Sequence, residues 1–356
     1  MNTATITTNV TKLPNSRVEI KVTIPVAEIE TFRTKALNNF KQSIDIDGFR
    51  KGHAPEAKII ERVGDIGILT EMADLALTEA YPTILEKTNI QPISRPEITV
   101  TKMAPGNDVE YVITSDVLPT VELKDIEKLA KEKNKTELEA AISDEDIEKA
   151  IKEIRQMRAH QQMHDDGHEH DDHNHQNIPD DKLPELTNEY VKTLGKFENV
   201  EDFKKQLREN MEKEKLATAH EKRRIEIIEA IMDQGTYDIP ASMVDFELNK
   251  MMEQFKYDLA MNGMKIEQYA EHIGKTVDEI KNESRDQAEK RVRMQLTLEK
   301  IAEQFTIKPD QEKINAEVEK IMDMYKNESL ERENVVAYVT QIMTNTAVFD
   351  WLEAQK

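Results

Sequence analysis

Residues 47–55 read DGFRKGHAP and separate two stretches that have a helical pattern. Two glycines and a proline within nine residues interrupt the pattern and allow the backbone to turn sharply; they are Gly48, Gly52 and Pro55. The apex of the turn carries Phe49, Arg50 and Lys51. These residues leave two interpretations open. Either the ring packs into its own domain beside solvated cations, or ring and cations form an exposed contact surface for a partner with paired oxygens.

The sequence on both sides of this turn predicts an α+β module. Residues 17–24, RVEIKVTI, alternate apolar and polar side chains, which is typical of a strand with one buried face. Weaker alternation predicts strands at 97–101 and 109–117. Between them, apolar residues at three- and four-residue steps predict helices at 26–43 and 66–88. Strands, helices and strands in this order indicate an α+β domain over residues 1–118.

Composition narrows the class of protein. The chain has 356 residues, no cysteine and a net charge of −21. Disulfides and thiolate metal sites are therefore excluded, and the charge disfavours a general nucleic-acid binder. The chain has no apolar run of about 20 residues and no secretory signal, so we expect no membrane partner and a cytoplasmic location.

A second feature lies between residues 119 and 182, which we interpret as a linker. A helix is predicted at 143–160, and a His/Asp-rich tract follows it. The tract is consistent with two interpretations, a linker or a weak binding site for zinc or nickel. The second is possible because imidazole and carboxylate are good ligands for both metals. Residues 161–182 contain too little apolar surface to build a folded domain. The candidate metal ligands are His164, His168, His170, His173 and His175.

Residues 183–356 have a helical pattern almost throughout, and single apolar stripes predict elongated helical arms with exposed inner surfaces. Eleven of the 16 methionines lie in this part, and their flexible thioether chains suit contact with partners of irregular shape. The predicted helices are 187–194, 200–233, 241–262, 266–273, 277–305, 310–327 and 331–354.

GFRKGHAP resembles the ribosome-docking signature Gly-Phe-Arg-x-Gly-x-x-Pro of the bacterial trigger factor family. The resemblance continues in LPELTNEYVKTLG (183–195) and YDIPASMVDFEL (237–248). It implies an α+β ribosome-binding domain, followed by an elongated all-α chaperone domain that holds unfolded nascent polypeptides at the exit tunnel of the large ribosomal subunit. By this resemblance the docking residues are Gly48, Phe49, Arg50, Lys51, Gly52 and Pro55. The client-contacting residues that it suggests are Phe246, Met252, Phe255 and Phe349.

The sequence departs from the family in one respect. Members usually carry an FKBP-like peptidyl-prolyl isomerase domain, and here the tract after residue 160 stands in its place. We therefore expect no isomerase activity, no cofactor and, without a nucleotide motif, no need for ATP. Two alternatives stay open: an active isomerase, or a metal-binding protein that works through its His tract. Dimerisation away from the ribosome is also left open.

Overall fold

The computed structural model describes residues 5–165, 179, 183–326 and 330–356. They form two compact units, and each unit combines two separate stretches of chain. The first unit is Met1–Lys124 with Gln234–Lys300, and the second is Asp125–Asp233 with Ile301–Lys356. Part of the helical region, residues 234–300, therefore belongs to the same compact unit as the N-terminal stretch. The domain boundaries expected at residues 118 and 183 stay predictions.

The first unit contains a four-stranded antiparallel sheet in the order β1 (Thr7–Leu13), β2 (Arg17–Ile24), β4 (Val109–Asp116), β3 (Glu97–Lys102). The two central strands alternate buried and accessible side chains, since successive residues of a strand point to opposite faces. The sequence predicted β2, β3 and β4. It did not predict β1, whose TTNVTKL sequence lacks a clean alternation and whose pairing with β2 defines it.

Three helices connect β2 to β3 and cover one face of the sheet. The helix expected at 26–43 is divided into two helices, α1 (Val26–Glu30) and α2 (Arg33–Ser43). The long third helix begins ten residues earlier than expected, and it contains a break at Gly64, where φ is 80°. Glycine tolerates this left-handed conformation because it has no Cβ. The third helix is α3 (Glu56–Thr88).

The core of this module lies between the sheet and α3. Ile20 and Ile113 face each other across β2 and β4 and are fully buried. Tyr111 is also buried, and its hydroxyl donates a 2.9 Å hydrogen bond to the carbonyl of Ala73 in α3. Burial and the charge of Asp74 raise the pKa of Tyr111, so the neutral phenol is the form that the core accepts.

The remainder of the first unit begins with a short strand pair that joins distant parts of the sequence. β5 (Thr120–Glu122) pairs with β6 (Thr236–Asp238) in an antiparallel arrangement. At the end of β6, the Asp238 carboxylate accepts hydrogen bonds from the main-chain N–H groups of Asn15 and Ser16, both at 2.7 Å. These contacts hold residues 234–300 to the N-terminal module. The helices are α8 (Ala241–Met261), α9 (Ile266–His272), α10 (Val277–Glu283) and most of α11 (Arg285–Gln304).

The second unit is helical in the residues that the structure describes. One apolar cluster packs α5 (Asp144–Asp165) against α6 (Asn188–Leu194) and the start of α7 (Val200–Gln234). Another packs α12 (Gln311–Met324) against α13 (Arg332–Glu353). The C-terminal helix is also tied to α7 by polar contacts, since Glu353 accepts from His220 at 2.8 Å and from Arg224 at 2.9 Å. The unit also contains α4 (Ile126–Asn134), and α7 lies mostly within it.

The predicted fold class is confirmed: a small α+β part precedes a long helical part. The helix expected at 277–305 is divided at Ser284 into α10 and α11, and α4 was not predicted. None of the helices in the described ranges is long and apolar enough to cross a membrane.

Candidate functional site

The loop between α2 and α3 is built from two consecutive tight turns. In the first, the N–H of Phe49 donates to the carbonyl of Ile46, with Gly48 at the third position and a φ of 84°. In the second, the N–H of His53 donates to the carbonyl of Arg50, with Gly52 at the third position and the same φ. A type II turn requires positive φ at this position, which explains the spacing of the two glycines.

The turns are anchored at their base, while their apex is exposed. The N–H of Gly52 donates to the carbonyl of Lys41 at the end of α2, and Ala54 is buried in the core of the module. Phe49 is 42% exposed, and Arg50 and Lys51 are also exposed. In this structure the ring does not pack into the core of its own domain. The loop therefore presents one aromatic ring and two cations to solvent.

The two cations are differently engaged. Lys51 lies 3.6 Å from the carboxylate of Asp45, and both side chains are largely exposed, so this ion pair is weak. Arg50 makes no ion pair with any residue in the described ranges. Its planar guanidinium is therefore available for a bidentate contact with a phosphate or a carboxylate.

A second surface lies on α8, which has apolar residues on two opposite sides. One side packs into a core through Val244 and Leu248. The other side carries Phe246, Tyr257 and Met261, which are 73%, 61% and 71% exposed. At 3.6 residues per turn these three side chains fall within about 60° of one another around the helix axis. They form one exposed apolar stripe, which we call the α8 stripe.

The client-contacting residues expected from the sequence fall in different environments. Phe246 belongs to the α8 stripe. Phe255 is partly buried on the packed side of α8 and makes an edge-to-face contact with Tyr269, with ring centroids 5.2 Å apart. Phe349 lies 5.7 Å from the guanidinium of Arg224 and is half-buried.

Met252 is the exception among the expected contact residues. It is 6% exposed and belongs to the core of the α8 region, so it is a packing residue in this conformation. Its contact with a client stays a prediction. Helical periodicity places Met252 on the same side as Leu248, and that side is covered. Tyr257 and Met261 lie on the uncovered side and are not among the client-contacting residues predicted from the sequence. Their spacing from Phe246 places all three on one side of the helix, and this was the signal that could have identified them.

A third apolar surface lies on the α12–α13 pair. An open groove of about 690 Å³ is lined by Tyr325, Leu330, Val335 and Tyr338 among others. Tyr338 is 59% exposed and Tyr325 is 45% exposed. Neither tyrosine is predicted as a contact residue from the sequence, because an isolated tyrosine carries no periodic signal.

The proposed metal ligands are almost entirely outside the described residues. His168, His170, His173 and His175 lie there, and so does the side chain of His164, whose backbone belongs to α5. Within the residues that the structure describes, no three His, Asp or Glu side chains are grouped so that they could hold a metal ion.

An exposed loop with one ring and two cations on an α+β module, together with exposed apolar surfaces on long helices, is typical of a protein that binds other macromolecules, as molecular chaperones do. Two family models support and sharpen this class. The model described as bacterial trigger factor protein matches residues 6–154, and the model of the bacterial trigger factor C-terminus matches residues 199–354. The chain belongs to the bacterial trigger factor family, a family of ribosome-associated chaperones.

Individual relatives agree with this assignment. A trigger factor of Halalkalibacterium halodurans is 27% identical over 401 aligned positions, which cover 92% of each chain. A trigger factor of Bacillus mycoides is 25% identical over 388 positions, which cover 88% of this chain and 90% of the relative. A solved structure from work on promiscuous substrate recognition by the trigger factor chaperone shares the fold, with a TM-score of 0.54, 15% identity, and coverage of 98% of this chain and 100% of that one.

Proposed function

We propose that the protein docks on the large ribosomal subunit beside the polypeptide exit tunnel through Phe49, Arg50 and Lys51. The observation that carries this proposal is the exposure of these three side chains at the apex of a loop whose base is fixed in the core. A guanidinium and an ammonium suit a surface of phosphate and acidic side chains, and the ring suits an apolar recess within it. Gly48, Gly52 and Pro55 shape the loop.

The test of docking is co-sedimentation with purified large ribosomal subunits. The variant Phe49→Ala/Arg50→Ala/Lys51→Ala is expected to remain in the supernatant. A matched variant that removes two exposed cations outside the loop, Lys35→Ala/Lys58→Ala, is expected to pellet like the wild type. Equal pelleting of the wild type and the loop variant would refute the docking proposal.

We further propose that unfolded nascent polypeptides are held weakly on the exposed apolar surfaces, with the α8 stripe as one contact. Phe246, Tyr257 and Met261 together offer an uncovered apolar strip whose burial by a client is favourable. Phe349 and Phe255 are secondary candidates because they are partly covered. No nucleotide motif is present in the sequence, so binding and release run without ATP in this proposal.

The α8 stripe is tested by the suppression of aggregation of a chemically denatured enzyme. Phe246→Ser/Tyr257→Ser/Met261→Ser should protect less well than the wild type at equal concentration. The control replaces two exposed polar residues of the same helix, Asn249→Ser/Gln254→Ser, and should protect normally. Equal protection by all three proteins would exclude the stripe as a client surface.

We propose that the protein has no prolyl isomerase activity. The family models for the N- and C-terminal parts end at residue 154 and resume at residue 199, which leaves a short, His/Asp-rich connection between them. A protease-coupled proline-peptide assay at catalytic protein levels should give the uncatalysed rate, since no apolar proline pocket can form from that tract. A clear acceleration would instead support the isomerase alternative.

The proposal also covers the role of the His tract, the cellular location and the oligomeric state. We propose a cytoplasmic protein in which the tract is a linker. Calorimetric titration with zinc should then give no heat above dilution, and deletion of residues 160–175 should leave client protection intact. Sedimentation velocity of the free protein tests for a homodimer away from the ribosome.

A further inference from the structure

The segment between α4 and α5 is extended and lies along α7 like a bound peptide. Residues 136–142 read TELEAAI, and the part of the chain that the structure describes offers them no main-chain partner in a helix or sheet. Their burial alternates. Leu138, Ala140 and Ile142 are half-buried, whereas Glu137 and Glu139 between them are exposed. This period of two is the pattern of an extended chain with one side against a surface. We call residues 136–142 the strap.

Side chains of α7 hold the strap by its carbonyl groups. Arg208 donates to the carbonyl of Ile142 at 2.6 Å, and Lys215 donates to the carbonyl of Ala141 at 2.8 Å. A third donor lies further along α7; it is Arg223, which donates to the carbonyl of Thr136. The donors are separated by seven and eight residues, so they lie on one side of the helix. The strap therefore runs antiparallel to α7 and is bound through atoms that every polypeptide possesses.

The strap is loosely packed. No residue from 135 to 143 is buried, and the part of α7 beneath it, residues 213–218, is exposed along its whole length. An open groove of about 650 Å³ remains between the strap and α7. Exposed charged hydrogen bonds and half-buried apolar contacts are weak interactions, because water competes for them. A competing chain of similar form can therefore replace the strap.

We propose that this side of α7 is a binding site for extended client segments with apolar residues at alternate positions, and that the strap is an intramolecular competitor for it. Contacts to main-chain carbonyls tolerate many sequences, which suits a binder of unfolded chains. The alternate side chains fill the places of Leu138, Ala140 and Ile142. When a client occupies α7, the strap is released. This inference rests on the proposed chaperone function and adds a site and its regulation.

The binding test uses the full-length chain and a fluorescein-labelled peptide with the sequence of residues 135–143. Leu138→Gly/Ala140→Gly loosens the strap without touching α7. Fluorescence anisotropy should show that the loosened chain binds the peptide at least about tenfold more tightly than the wild type. In the loosened chain, Lys215→Gln/Arg223→Gln should weaken binding by about tenfold or more, which corresponds to about 1.4 kcal/mol. Lys213→Gln, an exposed neighbour that does not contact the strap, should leave binding unchanged.

A second measurement follows the strap directly in a chain that folds normally. The sequence has no cysteine, so spin labels can be placed at Glu139→Cys and Ala217→Cys alone. Addition of reduced, unfolded α-lactalbumin should move the label distance to longer values. An unchanged distance while the client is bound, or equal peptide affinity with the intact and the loosened strap, would overturn the inference. If no variant protects any client, the proposed chaperone function fails instead, so the two failures are distinguishable.

Discussion

Removal of the Asp238 carboxylate should destabilise the first unit measurably. The carboxylate accepts from the N–H groups of Asn15 and Ser16, both at 2.7 Å, and these two residues have positive φ values of 60° and 47°. Ser16 is 6% exposed, whereas Asn15 is exposed. In Asp238→Ala, water can replace the bond to Asn15, but the buried N–H of Ser16 loses its partner.

The expected loss of unfolding free energy follows from the difference in exposure between Asn15 and Ser16. A buried hydrogen bond to a charged group contributes about 1.5–3 kcal/mol, and an exposed one contributes up to about 1 kcal/mol. We therefore expect Asp238→Ala to lower the free energy of unfolding by about 2–4 kcal/mol. For a unit of this size that lowers Tm by about 5–15 °C. Asp238→Asn keeps one acceptor oxygen and should lose about half as much.

The assay combines thermal unfolding by circular dichroism with fluorescence of Trp351, the single tryptophan, which lies in the second unit. The first-unit transition should shift, while the tryptophan transition serves as an internal reference. Asp245→Ala is the matched control, since it removes a carboxylate of the same unit that only pairs with exposed Arg285 at 2.7 Å. A change below about 0.5 kcal/mol for Asp238→Ala, or an equal change for the control, would refute the reasoning.

Three further outcomes are expected. Gly52→Ala places a Cβ at a φ of 84°, which costs about 1–2 kcal/mol, and it should reduce ribosome pelleting; normal pelleting would show that the turn is dispensable. Tyr111→Phe removes the bond to the Ala73 carbonyl and should lower stability in urea by about 1 kcal/mol, a prediction that an unchanged midpoint would contradict. Burial raises the pKa of Glu353, but hydrogen bonds from a histidine and an arginine of α7 outweigh this and hold the pKa below its ordinary value. The carboxylate therefore stabilises the second unit fully above its ordinary pKa of 4.5, and this contribution is lost as the pH falls through the lowered pKa. Glu353→Gln should then flatten the acid side of the stability profile followed by Trp351 fluorescence.

Several conclusions from the sequence are confirmed. The resemblance carried by GFRKGHAP led to the family that the comparisons support, and strand alternation and helical periodicity led to the fold class. The sharp turn at residues 47–55 was predicted from its two glycines and its proline, because the backbone preferences of these residues are local. The roles of the docking and client-contacting residues stay predictions.

Long-range contacts account for what was missed. β1 is defined by pairing with β2, and β5 pairs with β6 across more than 110 residues of sequence. The alternation of Leu138, Ala140 and Ile142 is too short to distinguish the strap from a loop in the sequence, and its extended form depends on donors of α7 that lie more than 60 residues away. No window of local sequence contains both partners of such contacts.

The sequence by itself determined most of the local elements, the sharp turn at residues 47–55 and the family, because each depends on residues that are neighbours in the chain. The exposure of Phe49 was decided by the tertiary structure. The tertiary structure alone decided which side of α8 is covered, and so separated buried Met252 from exposed Phe246. It also decided that residues 234–300 join the N-terminal unit through Asp238. The physical reason is that burial and hydrogen-bond partners are properties of the packed chain, and the same helical stripe can face either a core or solvent.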